Sequence, residues 1–418
     1  MAVKRMMPEF ALSGYHFAMA FLGVVRYGFP SRKLKVIGVT GTNGKSTTAM
    51  MIAKILEEAG FKTAVSSSVQ FQIGDKIWKN RSRMTMPGRL ALQKLLHDAA
   101  AAKCQYAVVE VSSEGIKQHR HRFIDFAAAV VTNVTPEHIE SHGSFEKYLA
   151  AKGGLFAACK KIHIINGDDK NCEFFVEFGA QKKYVYGLQI TGCDPAGAEI
   201  VIAQNVETTI AGSSFRVGEM EFNLKLPGEF NVHNALAAIC AAQSLGIGLD
   251  VCRDALKKIG VIPGRMDQVL SDPFRVFVDY AVTPDSLEKA YQTMKNNIGG
   301  GKLICVLGAC GGGRDKWKRP VMGSLAKKYC DQVIVTNEDP YDETPMAIID
   351  EIAGDGKNVR KIVDRREAIG EALRLANSGD IVLVTGKGCE DSMCVAGGKK
   401  IPWSDEKTVK EEMEKIKR

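Results

Sequence analysis

Long hydrophobic runs are lacking in this chain of 418 residues: even Phe17–Val25 stops after nine residues at Arg26, where a membrane-spanning helix needs about 20. No small-residue cleavage pattern follows it, so neither a spanning helix nor a secretory leader is expected. Paired cysteine knuckles are missing as well. Of the 11 cysteines, Cys305/Cys310 and Cys389/Cys394 are five apart, which excludes the tight ligand spacing of a structural zinc site. Isolated thiols of this kind fit a reducing cytoplasm and a core-filling role. Acidic excess is absent too: 56 Lys+Arg against 48 Asp+Glu give a net charge of +8. That balance favours nucleotide phosphates or other small anions. It does not mark a nucleic-acid binder, because the basic residues are spread out and the strongest cluster, Arg314 to Arg319, adjoins a glycine turn suited to a small anion. Repeats and low-complexity linkers are also missing, and the length allows two or three cores.

What is present is more specific. The run Lys35-Val-Ile-Gly-Val-Thr-Gly-Thr-Asn-Gly-Lys-Ser-Thr-Thr48 is an apolar strand, a glycine-rich turn and the start of an Ala/Met-rich helix. Backbone N–H groups at such a helix start surround phosphoryl oxygens, a lysine reaches the terminal phosphates and a hydroxyl can ligate Mg²⁺. Gly41, Thr42, Asn43, Gly44, Lys45, Ser46 and Thr47 form that cradle. The common pattern has glycine five positions before Gly44, and Val39 stands there instead.

Strands are expected at 34–39, 106–109, 126–131 and 161–165, short apolar runs alternating with Ala-rich helical stretches, the mark of a largely parallel sheet with covered faces. Polar residues at their carboxyl ends fall where ligands bind in such sheets. Tyr184 to Leu226 reads as an antiparallel flap or subsidiary sheet, and Asn234 to Leu245 as a helix. Beyond Val261-Ile-Pro263 a second α/β unit is expected, with strands at 275–279, 303–307, 332–336, 359–363 and 381–385. Residues 17–25 read either as a helix packed on the first domain or as a membrane-surface foot exposing Phe17, Phe21 and Val24. Glu110, at a strand end beside Ser46, either completes a Mg²⁺ site or caps the following turn. Glu137-His-Ile-Glu-Ser-His142 has two histidines four apart, but Ile139 occupies the place of the metalloprotease glutamate, so a peptidase is excluded.

Gly41-Thr-Asn-Gly-Lys-Ser46 resembles the phosphate loop of the Mur ligases and of the related folylpolyglutamate synthetases, both of which join an amine to a carboxylate with ATP. Glu110-Val-Ser-Ser113, His138 to His142, Tyr148-Leu-Ala-Ala-Lys152, Leu226 to Asn234, Gly264-Arg-Met-Asp267, Val278-Asp-Tyr-Ala281 and Gly386-Lys-Gly-Cys-Glu390 follow in matching order. Together they resemble the Mur ligases that add the third stem-peptide residue in peptidoglycan synthesis. The resemblance implies an α/β protein in which a central P-loop ATPase-like parallel-sheet domain (34–262) is followed by a Rossmann-like domain (263–418), after a short helical segment (1–33) too small for the usual uridine-binding domain.

It implies ATP and Mg²⁺ as cofactors and a UDP-N-acetylmuramoyl peptide plus a free amino acid as partners, in a cytoplasmic monomer. Site residues carry over by position. Lys45, Lys152, His138 and Arg265 are catalytic. Ser46, Glu110, His138 and Lys152 hold metal, Lys152 as a carbamate, while His142 is structural. Asn234, oriented by Asn231, joins Arg265 and Asp279 on the nucleotide, although either of the latter two could instead form an interdomain salt bridge. Thr85, Ser112 and Arg120 meet the acceptor; Met86 and Glu114 depart from the family's usual Thr and His. Asp339, Tyr341, Gly386 and Glu390 meet the incoming amino acid. Tyr341 stands where diaminopimelate-adding members carry Arg, so lysine or another diamino acid lacking the distal carboxylate is the expected substrate. A folylpolyglutamate-type ligase, or a related ATP-dependent peptide ligase acting on another carboxylate, is the alternative.

Overall fold

The computed structural model describes residues 8–82, 84–356 and 359–416. Strand β1 (Lys35–Thr40) is buried from Val36 onward, as a parallel strand covered on both faces must be. It lies at the heart of a nine-stranded sheet with β2 (Thr63–Ser66), β3 (Gln70–Ile73), β4 (Lys76–Lys79), β5 (Tyr106–Glu110), β6 (Phe126–Val131), β7 (Ile162–Asn166), β8 (Lys182–Gly187) and β9 (Glu199–Ile202). The order is β4-β3-β2-β5-β1-β6-β7-β8-β9. Register decides what this achieves. Val39 is level with Glu110 on β5, and Thr40 with Val131 on β6, so three strand ends open on the same edge. Helices Lys45–Glu58 and Glu229–Ser244 build one face of the core. Arg89–Ala101 and Phe145–Ala158 build the other.

Several expectations change here. The segment from Tyr184 to Leu226 is not one flap. β8 and β9 extend the large sheet in parallel, because Tyr184, Val185 and Tyr186 are buried on both sides. Only β10 (Gln204–Thr209), β11 (Gly212–Val217) and β12 (Met220–Leu224) form a separate antiparallel sheet. The hairpin β3–β4 left no pattern to read, since β4 is exposed throughout. The helix expected from Asn234 starts at Glu229, placing Asn231 and Asn234 inside its first turns. Two cysteines are not isolated thiols: Cys172 and Cys193 form a disulfide with Cα atoms 5.3 Å apart. Cys104, Cys159, Cys240, Cys252, Cys305 and Cys394 are buried, as core filling requires.

Residues Glu9–Arg26 form a single helix that packs on helix Arg89–Ala101 and sets Phe17 and Phe21 against Phe123 at ring separations of 5.2 and 5.6 Å. Both rings remain about half exposed, but Val24, expected outside, is fully buried. No helix among the described residues is long and apolar enough to cross a membrane.

The second sheet contains β13 (Asp267–Leu270), β14 (Arg275–Asp279), β15 (Leu303–Leu307), β16 (Gln332–Thr336), β17 (Val359–Ile362) and β18 (Ile381–Thr385), in the order β13-β14-β18-β15-β16-β17. All pairs except β13–β14 are parallel, so the loops after β14, β15, β16 and β18 leave from one edge. Behind it Arg365 is held by Asp405 at 2.7 and 2.8 Å, both side chains having no solvent exposure. Removing one member of a buried pair strands the other charge at a cost of about 3–5 kcal/mol. Asp405→Ala is therefore expected to lower the unfolding free energy by about that amount in urea titrations. A loss under about 1 kcal/mol would show that the pair is replaceable.

Candidate functional site

The turn after β1 is shaped by two close approaches. At Gly41 (φ +145°) a Cβ would lie 1.9 Å from Thr132 Oγ1, and at Gly44 (φ +84°) 2.3 Å from Asn234 Oδ1. Any side chain there would collide or strain the left-handed backbone. The loop is further pinned by Thr132 Oγ1 donating to Asn43 O at 2.6 Å and by the Asn43 N–H donating to Asn133 Oδ1 at 3.0 Å. Asn234 Oδ1 accepts from Thr48 Oγ1 at 3.2 Å, while its amide donates to Asn231 Oδ1 at 3.1 Å. Asn231 thus orients Asn234 against the glycine turn.

Two amines meet at one carbonyl. Lys45 Nζ donates to Gly41 O at 3.1 Å and to Thr42 O at 2.9 Å, and Lys152 Nζ donates to Gly41 O at 2.6 Å. Lys152 also sits 4.4 Å from the centre of the Tyr148 ring, and the Tyr148 hydroxyl is 3.0 Å from Thr42 Oγ1. Burial pushes the Lys152 amine well below its ordinary range, and the Lys45 charge pushes it further. Burial likewise lowers Lys45, with Glu110 opposing and Arg265 assisting. His138, at φ +57°, has its ring 6.1 Å from that of Tyr148. Burial, then Arg314, Lys152, Lys318 and Lys45, hold its pKa down to about 2. That setting favours the neutral imidazole, which has a lone pair to offer a metal.

Glu110 has no solvent exposure. Its carboxylate accepts the N–H of Ser68 at 2.8 Å and the hydroxyl of Ser68 at 3.1 Å, and Ser68 Oγ lies 3.0 Å from Thr85 Oγ1, from which it can accept. Among the described contacts Glu110 therefore caps no turn after β5. A hydroxyl at Ser46, the Glu110 carboxylate and neutral His138 suit a hard divalent ion bound by few protein groups. Among the described residues no cluster of three or more His, Cys, Asp or Glu is placed to hold a metal, so Mg²⁺ here would take its remaining ligands from phosphate and water.

Beside this lies the segment expected to meet the acceptor. Ser112 caps helix Ser113–Lys117 by accepting the Gly115 N–H at 3.1 Å, so its hydroxyl oxygen is engaged locally. Arg120 donates to Met86 O, and to Gln118 Oε1 at 2.8 Å. Arg89 bonds His16 of the N-terminal helix, and donates to Gln118 O at 2.9 Å. His142 is 3.2 Å from Ser113 Oγ and packs edge-on against Tyr148, consistent with a structural part.

The second sheet's edge faces the first. Asn43 Nδ2 donates to Asp285 Oδ2 at 2.9 Å and Thr283 Oγ1 at 3.2 Å. Lys318 Nζ reaches Glu137 Oε1 at 2.7 Å with both side chains buried, and Asp315 accepts the N–H groups of Ile139 and Glu140 at 3.1 and 3.0 Å. None of Glu137, Asp315 or Lys318 was singled out in the sequence. Asp279 accepts the Met266 and Ala281 N–H groups at 2.6 and 2.7 Å, and burial raises its pKa against the pull of Arg265. Arg265 lies over the Tyr280 ring at 4.6 Å; Arg265 and Asp279 form no direct salt bridge among the described contacts.

At the ends of β16 and β18, Asp339 Oδ1 accepts from Lys387 Nζ at 2.8 Å and from the Cys394 N–H at 2.7 Å, and Lys387 also pairs with Glu390. The Glu390 carboxylate is thus already shared with a lysine. The spare acceptor is Glu338, next to the predicted Asp339: it is buried, takes a hydrogen bond from Cys310 Sγ at 3.0 Å on Oε1, and leaves Oε2 without a hydrogen-bond partner beside Gly386. Tyr341 packs on Gly312 and donates its N–H to Cys394 O at 3.2 Å. Arg314, from the loop after β15, stands within electrostatic range of Tyr341, Tyr280 and Glu137. A cleft of about 570 Å³ near Asn337, Arg365 and Trp403 contains none of the predicted site residues.

Comparison with known proteins gives two family matches: the Mur ligase middle domain over residues 39–242 and the Mur ligase, glutamate ligase domain over residues 264–388. The chain is similar to a UDP-N-acetylmuramyl-tripeptide synthetase of Roseiflexus sp. (strain RS-1), 38% identical over 95% of this chain and 82% of that protein. It is similar to a UDP-N-acetylmuramoyl-L-alanyl-D-glutamate–2,6-diaminopimelate ligase of Syntrophomonas wolfei, 40% identical over 90% of this chain and 78% of that one. A solved structure of another such diaminopimelate ligase superposes with a TM-score of 0.62 at 31% identity, covering 92% of this chain and 79% of the other.

Proposed function

We infer, because the chain belongs to the Mur ligase family, that it is an ATP-dependent ligase extending a UDP-N-acetylmuramoyl dipeptide by one amino acid, with release of ADP and phosphate, in peptidoglycan synthesis. The observation that carries the chemistry is the meeting of Lys45 and Lys152 on the Gly41 carbonyl. Residues 34–262 act as a P-loop ATPase-like domain and 263–418 as a Rossmann-like domain, working in the cytoplasm as a monomer.

The cradle from Gly41 to Thr47 holds the ATP phosphates, Asn234 and Asp279 orient the nucleotide, and Arg265 neutralises phosphoryl charge from the second sheet. Ser46, Glu110, His138 and carbamylated Lys152 would be the protein ligands for Mg²⁺, which would supply charge stabilisation on the transferred group. A neutral Lys152 amine is the form that attacks CO₂: an N–C bond forms, one proton leaves the nitrogen, and the neutral group beside Lys45 becomes an anion. The acceptor carboxylate displaces ADP from the γ-phosphorus, giving an acyl phosphate. The incoming amine then attacks the acyl carbon, phosphate departs and a proton is lost. The Asn43, Glu137 and Ile139 contacts to the second sheet keep water from that intermediate.

The incoming substrate is a diamino acid, its ammonium end set against Glu338 and Glu390. Tyr341 alone pointed to lysine. Arg314 supplies a guanidinium within electrostatic range of it, and two of the similar proteins are named for diaminopimelate, so diaminopimelate is the better reading.

Incubation with ATP, UDP-N-acetylmuramoyl-L-Ala-D-Glu and a mixture of meso-diaminopimelate and L-lysine should yield ADP and the diaminopimelate tripeptide by mass. Arg314→Met should move the kcat/KM ratio toward lysine, and Tyr341→Arg should move it toward diaminopimelate, each by about tenfold or about 1.4 kcal/mol. Folded, ATP-binding protein that extends no muramoyl peptide would sink the acceptor assignment. A wild-type preference for lysine would restore the reading from Tyr341.

A further inference from the structure

The helix Glu9–Arg26 carries no Asp, Glu, Lys or Arg between Phe10 and Val25. One face is used: Ala20, Gly23 and Val24 are buried against the body of the protein. The opposite face is covered only at its edge, where Phe17 and Phe21 meet Phe123. Phe10 is 80% exposed, Leu22 56%, Val25 50%, Phe21 47% and Phe17 45%, and Gly14 and Ala18 between them are exposed as well. These positions recur at three- and four-residue steps, so they form a continuous apolar stripe along a helix of 18 residues, about 27 Å long at 1.5 Å per residue. Stripes of this size on a water-facing surface mark an interaction site.

We propose that this stripe seats the protein on the surface of an anionic lipid bilayer. Three observations favour lipid over a protein partner. The stripe offers mainly Phe, Leu and Val side chains, with the Tyr15 hydroxyl the single hydrogen-bonding group among its six large exposed residues, whereas a protein interface intersperses hydrogen bonds through its contact. Phe and Leu on one side with basic residues at the margin is the composition of helices that lie in a headgroup layer. The margin is cationic: Arg26 ends the helix, and Arg32 and Lys33 follow within the next short turn, all exposed. The helix is also fixed to the site. Ser13 Oγ lies 2.8 Å from His119 Nε2 and His16 bonds Arg89, so docking carries the Ser112–Arg120 segment to the membrane face. The inference stands apart from the ligase reading, since it uses none of the reacting groups.

The test is co-sedimentation of the full-length protein with vesicles of phosphatidylcholine alone or containing a third phosphatidylglycerol. Wild type should partition at least tenfold more strongly onto the anionic vesicles, and less as salt is raised. Phe10→Gln/Leu22→Gln/Val25→Gln, which changes the most exposed positions, should lose at least tenfold in partitioning while ligase turnover on soluble acceptor stays at the wild-type value. Arg26→Gln/Arg32→Gln/Lys33→Gln should lose the preference for anionic over neutral vesicles. Absence of wild-type binding to both vesicle types would overturn the proposal, as would equal binding by wild type and the apolar triple variant. A lipid-free dimer that the apolar triple variant abolishes would also overturn it, by assigning the stripe to a second copy of the chain.

Discussion

Lys45→Ala should lower kcat/KM for ADP formation by about 10³-fold, roughly 4 kcal/mol of transition-state stabilisation. The amine is buried, directed at the carbonyls of Gly41 and Thr42, and within electrostatic range of Glu110, Arg265 and Glu137. A cation in that setting is worth more than one in water, because surrounding protein replaces solvent screening. The fold should tolerate the change, since the turn keeps its bonds from Thr132, Asn133 and Lys152. Continuous measurement of ADP release beside a thermal melt checks both halves of the expectation. Activity within tenfold of wild type, with the melt unchanged, would remove Lys45 from phosphate chemistry.

Lys152→Ala should cost about 10²–10³-fold in the same assay, for a different reason, and the two failures can be told apart. Its amine is held in the neutral direction first by burial and then by Lys45. The carbamate proposed there would set an anion beside Lys45 where a neutral amine stood. A small carboxylate should then occupy the vacated space and recover about tenfold of the lost rate, about 1.4 kcal/mol, whereas the same addition should do nothing for Lys45→Ala. Rescue of neither variant, or equal rescue of both, would place Lys152 among residues that merely fill the core. Mass spectrometry of protein trapped with labelled CO₂ gives an independent readout.

Much of this site was legible because its parts are local. A strand, a glycine turn and a helix lie within Lys35–Glu58, and the phosphate cradle needs little else. Glu110 and Lys152 were readable at the level of residue type and family block, and the sheet register accounts for why Glu110 ends level with Val39. The contacts between the two sheets were not legible. Lys318 and Glu137 are 181 positions apart, and Asp315 and Ile139 are 176 apart; periodicity within a segment says nothing about which strand edges will face each other. Arg314 was visible only as part of a basic cluster. Glu390 looked available for an ammonium group because its partner Lys387 lies in the same glycine-rich block, where spacing does not reveal a bond. The Tyr184–Leu226 segment misled through its glycine turns, which occur equally between parallel and antiparallel strands.

The meeting of Asp315 and Lys318 with residues 137–140 also sets an order during synthesis. The first sheet and its phosphate loop are complete well before Lys318 is translated, and amino-terminal units fold first as a chain emerges. The nascent protein therefore passes through a stage with a finished nucleotide cradle whose far wall does not yet exist. Until the second sheet emerges, the His138 loop has no Asp315 on its amides and Glu137 has no ammonium partner. A ribosome-bound intermediate is thus built to hold phosphate before it is built to transfer it.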